Sequence, residues 1–443
     1  VLTLGKSFTV LKANLICTFG ENFTFMSKWL LFVSLFLALF ACKSTHVIDA
    51  DHKSKDPLYV KAHKLAQDYI ITDGHVDLPY RLTVINFRLE RKYMGIPVES
   101  NEGDFDFVRA KKGGLNAPFM SIFIPASNQI DNEAKIVADS LIAMVAGIAE
   151  RIPDKFELAY SPKDVERISQ QGKIALPMGM ENGAAILENL DNINYFRKKG
   201  ISYITLTHSK DNQICDSSYD TTGTWNGLSP FGEKVIKRMN ETGMMIDISH
   251  VSDSTFYQVL ELTKLPVIAS HSSCRKFVPG FERNMSDDMI RKIKTNGGVI
   301  HINFGSDFID GAYTKHKNER RDQLNQILAG KGLKNDDPEA KQIIDQFARD
   351  NPILFSDVEK VADHIDHVVS LAGIDHVGFG SDFDGVGDSL PTGLKDVAAY
   401  PNLIYSLLKR GYSETDIAKI CYKNTFRVWN KVLDAAKQHS TQH

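Results

Sequence analysis

Sulfur is scarce in this chain. Among 443 residues only five are cysteine: Cys17, Cys42, Cys215, Cys274 and Cys421. They are too few for a disulfide scaffold, and none forms the Cys-x-x-Cys pair of a sulfur-ligated zinc site. An excess of either charge is also missing, since 52 Lys plus Arg face 55 Asp plus Glu for a net −3. That balance offers no basic field for nucleic acid and no acidic tail. We find no internal repeat and no low-complexity segment. What remains is a globular composition, 43% hydrophobic and 24% charged, whose length allows two or three domains or one large barrel.

Near the start, Trp29–Ala41 runs without a charge, preceded by Lys28 and followed by Cys42, Lys43 and Ser44. Thirteen helical residues rise about 20 Å, short of a roughly 30 Å hydrocarbon core, so the run reads as a secretory signal rather than a span. Met26 is the first methionine and is taken as the start, with 1–25 as over-extended translation. Leu39-Phe40-Ala41-Cys42 resembles a bacterial lipobox, which makes Cys42 a lipidated first residue; an ordinary signal peptide or an uncleaved membrane anchor is the alternative. The expectation is an exported, lipid-anchored protein of a bacterial cell envelope. Residues 26–42 form the signal, 43–57 a polar tether, and 58–435 the working domain.

Beyond the tether, β-rich runs alternate with amphipathic stretches. The predicted strands are Ile70–Asp77, Ala117–Pro125, Ile174–Glu181, Tyr203–His208, Met244–His250, Pro266–His271, Gly298–Phe304 and His376–Asp382. Most are dense in apolar residues, as strands buried on both faces should be. Helix starts are marked by Ser161-Pro162, Ser229-Pro230, Ser286, Ser356-Asp357-Val358-Glu359 and Ser413-Glu414-Thr415-Asp416. The alternation implies an α/β fold with a parallel sheet, closed into a (β/α)8 TIM-like barrel. An open doubly wound sheet would want a glycine-rich turn after strand one, where the chain has His75-Val76-Asp77-Leu78-Pro79. The charged stretch 310–355 reads as a helical insertion after strand seven.

Strand periodicity places His75 and Asp77 on one face. Glu181, His208, His250, His271 and Asp382 each close a predicted strand, the end at which barrel loops build active sites. Singly, each has a plain explanation: a hydrogen-bonded histidine, a helix-capping Glu181, a turn-forming Asp382 or Asp384. Together, imidazoles and carboxylates make a borderline-hard donor set suited to Zn²⁺, Mn²⁺ or Co²⁺. His364 and His367 lie i, i+3 on a crossover helix away from these ends, where packing or surface roles are expected. Tyr219, Asp220 and Trp225 fall in the loop after strand four, as material for a lid or an oligomer contact. Cys215 in that loop is a disulfide candidate in an oxidising compartment, its partner undetermined.

Six segments carry a resemblance. They are Asp73-Gly74-His75-Val76-Asp77-Leu78-Pro79, Met180-Glu181-Asn182-Gly183, Leu206-Thr207-His208, Asp247-Ile248-Ser249-His250-Val251-Ser252, Ser270-His271-Ser272-Ser273 and Gly378-Phe379-Gly380-Ser381-Asp382-Phe383-Asp384-Gly385. In this order, over about residues 58–432, they resemble the membrane (renal-type) dipeptidases, binuclear zinc enzymes of the amidohydrolase-like barrels. The resemblance implies two zinc ions, one held by His75 and Asp77, the other by His250 and His271, with Glu181 bridging. It gives His208 to the substrate carbonyl, Arg283 to the substrate's terminal carboxylate and Asp382 to proton transfer. Spacing alone leaves a surface ion pair open for Arg283. Two departures stand out: Asn182 where glycine is common, and Cys274, which could alter the pocket wall or take an adventitious metal.

The activity so implied is zinc-dependent hydrolysis of dipeptides by a hydroxide between the two metals, with Glu181, His208 and Asp382 as catalytic groups and a homodimer as the family's assembly. A non-peptide amide, lactone or lactam hydrolase on the same barrel is the first alternative. A surface-anchored binding protein without catalysis is the second.

Overall fold

The computed structural model describes residues 55–84 and 97–442. The expected start, signal run and lipobox, and the tether up to residue 54, lie outside the described residues. No helix among the described residues is long and apolar enough to cross a membrane.

Ten short strands appear among the described residues: β1 (Ile71–Val76), β2 (Leu115–Phe123), β3 (Phe156–Leu158), β4 (Ile174–Leu176), β5 (Met178–Glu181), β6 (Ile201–Thr205), β7 (Met245–Asp247), β8 (Ile268–Ser272), β9 (Val299–Ile302) and β10 (Val377–Phe379). Eight of them form one sheet in the order β1-β2-β5-β6-β7-β8-β9-β10, and every pairing is parallel. Its edges meet at a parallel bridge between Val76 and Phe383. There the Asp77 amide donates to the Phe383 carbonyl at 2.8 Å and the Asp382 amide to that of His75 at 3.1 Å. The result is a nearly closed (β/α)8 barrel.

One buried carboxylate staples this seam. Asp73, fully buried, accepts the amides of His75 on its own strand and of Ser381 two residues past β10, both at 3.0 Å. The Tyr400 hydroxyl donates to its other oxygen. Each lone pair therefore has a partner, the condition for a polar group to sit in a core.

The third predicted strand, Ile174–Glu181, is cut in two at Pro177. Proline has no N–H to give a ladder, though the Pro177 carbonyl still accepts the Met120 amide at 2.8 Å. Upstream of the break, β4 leaves the barrel and pairs with β3; downstream, β5 joins β2 and β6. Other strands stop short of their predicted ends, leaving His208, His250 and Asp382 three residues past β6, β7 and β10. His250 and Asp382 have φ of 67° and 62°, a left-handed conformation that ends a ladder.

Crossover helices begin where the capping residues predict. Ser161, Ser229, Ser286 and Ser413 accept the N3 amides of their helices. Before Val358–Ala372 the cap is Asp357, not Ser356, because Asp357 takes the Lys360 amide. The insertion is present as helices Gly311–Ala329 and Ala340–Asp350. At the barrel floor Phe119, Tyr203, Met245, Ile268 and Val299 pack with Trp429, which the last helix, Asn424–Gln442, presses over the strand starts. Cys215, Cys274 and Cys421 are each buried and free, so the disulfide considered for Cys215 does not form among the described residues.

Candidate metal centre

The strand ends converge on Glu181. Its Oε2 stands 3.3 Å from His75 Nε2 and accepts the Ser121 hydroxyl at 3.3 Å. Its Oε1 faces the other imidazoles, 3.0 Å from His250 Nε2, 3.3 Å from His271 Nε2 and 3.7 Å from His208 Nε2. Asp77 Oδ2 lies 3.3 Å from His75 Nε2, as the shared strand face required. Three donor groups result, each with its atoms within 4.8 Å of one another: His75–Glu181–His271, Glu181–His208–His250, and His75–Asp77–Asp382.

The charges of this cluster are set by burial. Loss of solvent would raise the Glu181 carboxyl, but the imidazoles of His75, His208, His250 and His271 hold it well below the usual carboxylate range. Burial, aided by the charge on Arg283, pushes His250 and His271 well below the ordinary histidine value, and burial lowers His208 too. His75 moves the other way: burial disfavours its charge, yet Tyr203, Glu181 and Asp77 carry it well above. Burial, with the Asp77 and Glu181 carboxylates, pushes Asp382 up to about 8.

Divalent cations fit this arrangement. His75 Nε2 and Asp77 Oδ1 are buried without a hydrogen-bond partner, a costly state for polar atoms unless something else is meant to take them. Nitrogen and carboxylate donors on both sides of one glutamate are a donor set for zinc or a similar metal.

Around the cluster is a cavity of about 480 Å³, lined by Tyr80, Phe123, His208, Tyr219, Phe308 and Asp382 among others. Arg283 sits behind this wall, 3% exposed. It donates to the Ser272 hydroxyl at 2.7 Å and the His271 carbonyl at 2.6 Å, while its Nε has no partner. It is not the surface ion pair that spacing left open, and no carboxylate neutralises it among the described residues. All eight predicted site residues are thus brought to one end of the barrel.

Both departures from the family pattern are explained. Asn182 has a φ of 80°, which asparagine tolerates nearly as glycine does. Its side chain accepts the Ala184 amide and donates to the Ile124 carbonyl. Cys274 points away from the cavity, its sulfur 3.6 Å from the His364 carbonyl. His364 accepts the Cys274 amide and donates to Ile309, and His367 meets Asp287 at 2.7 Å, so both histidines pack as expected. Tyr219 reaches the cavity, whereas Trp225 closes its own loop by donating to the Asn212 carbonyl.

Residues that carry no charge at neutral pH were not legible as site residues. Asn303, one position past β9, donates to Asp382 Oδ2 at 2.8 Å. Tyr203, inside β6, contacts His75 Nδ1 at 3.1 Å. Asn303 stands near a predicted strand end, which is a usable signal. Tyr203 looks like any core aromatic.

The family model of the membrane dipeptidases, peptidase family M19, matches residues 59–443. The chain belongs to the membrane dipeptidase family. It is 31% identical over 372 residues to dipeptidase tcpJ of Claviceps purpurea, spanning 82% of this chain and 77% of that one. An uncharacterized dipeptidase of Schizosaccharomyces pombe is 32% identical over 387 residues, 84% and 82% of the two chains. Among solved structures, the probable dipeptidase PvdM of Pseudomonas aeruginosa superposes with a TM-score of 0.72 at 26% identity, covering 86% of this chain and all of that one. A Rhodobacter sphaeroides metallo peptidase liganded with a phosphinate mimic of L-Ala-D-Ala shares the fold, with a TM-score of 0.67 at 22% identity over 82% and 99%. In this membrane dipeptidase family member the six quoted segments all fall within the matched span.

Proposed function

We propose that this family member is a zinc dipeptidase whose two metals are held by His75 and Asp77 on one side and His250 and His271 on the other, with Glu181 shared. The observation that carries the reading is the division of Glu181: one oxygen toward His75, the other toward His250 and His271. When bound, two such cations lower the pKa of water toward neutrality and polarise a carbonyl.

The protein supplies the rest. His208, with burial holding it neutral, offers an N–H to the carbonyl oxygen as negative charge builds there; one such donor is worth about 3 kcal/mol of barrier. Asp382 removes a proton from the attacking water and returns it to the departing amine. A carboxyl that rests near 8 in the absence of cations is brought into its basic form by positive charge nearby. Arg283, a buried cation lacking a counter-charge, suits the free carboxylate of a short peptide. Tyr80, Phe123, Tyr219 and Phe308 form walls for the two side chains.

The test is zinc content with turnover on a panel of L-L and L-D dipeptides. Two zinc equivalents and dipeptide hydrolysis are expected. Turnover of carboxylate-free amides at equal rates would shift the reading to a general amidohydrolase, and inactivity of the fully metallated protein to a binding role. Export with lipid attachment at Cys42 is part of the proposal; expression of the full chain in a bacterial host should give a membrane-fraction protein that Cys42→Ala releases.

A further inference from the structure

A histidine can present a lone pair at only one ring nitrogen while neutral, and the group at its other nitrogen decides which. Two of the inner imidazoles have that decision made for them. The Tyr203 hydroxyl donates its one hydrogen to the Gly74 carbonyl at 2.9 Å, so toward His75 Nδ1, 3.1 Å away, it can only accept. His75 therefore keeps its proton on Nδ1 and turns Nε2 toward Asp77 and Glu181. His271 is fixed through a relay instead. Ser270 Oγ gives its hydrogen to Asp247 Oδ2 at 2.6 Å and accepts from His271 Nδ1 at 2.8 Å. His250 has no such support, as its buried Nδ1 is without a partner.

The tyrosine's place is built for it. Tyr203 is fully buried and lies across the barrel floor from Phe119. Its ring occupies the space beside Gly179, where a Cβ would come within 1.9 Å of the Tyr203 Cζ. The interior at that level needs only an apolar ring, and phenylalanine would fill it. The hydroxyl is the part that packing does not account for.

We propose that Tyr203 is a positioning residue of the metal centre, which through one hydroxyl commits His75 to the tautomer that binds metal at Nε2. The proposal rests on the zinc reading above. It assigns the role to a residue that touches neither substrate nor metal, and it separates the two metal positions, since only the one containing His75 depends on Tyr203.

Tyr203→Phe removes the hydroxyl and keeps the ring. Metal-free parent and variant are titrated with zinc against a chromophoric chelator, with far-UV dichroism and melting temperature confirming the fold. The expected result is a loss of about 10- to 100-fold in affinity at one of two positions, the other unchanged. Excess zinc should restore kcat, with KM for the dipeptide unaltered, which a packing defect would not show. Equal affinity of parent and variant at both positions would overturn the proposal while leaving the zinc reading intact. A parent that binds no zinc would overturn the zinc reading itself. Nitrogen-15 spectra of the zinc-loaded parent test the tautomer independently of any variant: a protonated His75 Nδ1 is expected, and an unprotonated one refutes it.

Discussion

His250 Nε2 and His271 Nε2 stand 2.9 Å apart, both aimed at Oε1 of Glu181. Burial keeps both imidazoles from charging, so the Nε2 lone pair of His271 and the Glu181 carboxylate crowd one neutral ring nitrogen of His250, with no positive charge on either imidazole. Such a contact is tolerable when a cation takes up the electron density. Chelation should therefore destabilise the protein and zinc should restore it, by about 4 kcal/mol when free zinc is about 1,000 times Kd. A melting temperature indifferent to both would contradict a metal at this contact. Glu181→Gln should bind fewer than two equivalents and lose nearly all turnover.

His208 is grouped with Glu181 and His250 in the cluster, yet it lies farthest from the shared carboxylate and faces the cavity. As an oxyanion donor its loss is kinetic. His208→Ala should lower kcat by about 10²–10³-fold with zinc content unchanged. A matching fall in zinc would make it a ligand.

In the proposed reading Arg283 is the group that selects for a free carboxylate. Removing one member of a buried charge pair costs about 2–5 kcal/mol, so Arg283→Ala should lower kcat/KM for dipeptides by at least about 30-fold. The same peptides with an amidated C-terminus should respond little. Equal losses on both substrates would remove the clamp from the mechanism.

Asp104 is in none of the three donor groups and offers a test by pH. Asp104 and Asp384 accept each other's backbone amides, and burial with the Asp384 carboxylate beside it pushes Asp104 up to about 7. The folded chain therefore holds a proton there between about pH 4 and 7 that the unfolded chain has released. Stability from this group is full below pH 4 and falls as pH rises toward 7. Asp104→Asn, neutral throughout, should match the parent near pH 4 and exceed it at pH 8. A tenfold change in proton affinity is worth about 1.4 kcal/mol, and a gain of at least that size is expected from melts across this range.

The barrel was legible because buried parallel strands are nearly continuous apolar runs, and the metal cluster because its members are ionisable and sit at the ends of those runs. The errors have local causes. Apolar pattern alone runs Ile174–Glu181 together as one strand, although Pro177 cannot donate to a ladder. Alternation carries the strand pattern on through His208, His250 and Asp382 beyond the last ladder bond, while the positive φ at His250 and Asp382 leaves no mark on pattern. The hydrogen-bonding support was hidden for a different reason. Tyr203 and Asp247 lie inside strands, where an aromatic or a lone acid is ordinarily read as packing, and their partners arrive from strands distant in sequence. Arg283 comes from the family resemblance alone, and only the structure shows it buried and without an ion pair.

The staple at Asp73 joins residues 308 positions apart, and Asp382 follows directly on its far side. Closing so large a loop comes late in assembly, since its entropic cost is met only after the intervening strands have ordered. In a chain emerging from the ribosome His75 and Asp77 are made well before Asp382, and the centre is unfinished until residue 382 has been made and the seam has formed. Hydrolytic competence and completion of the barrel are thereby one event. Incomplete or nicked copies that lose this seam should be silent rather than partly active.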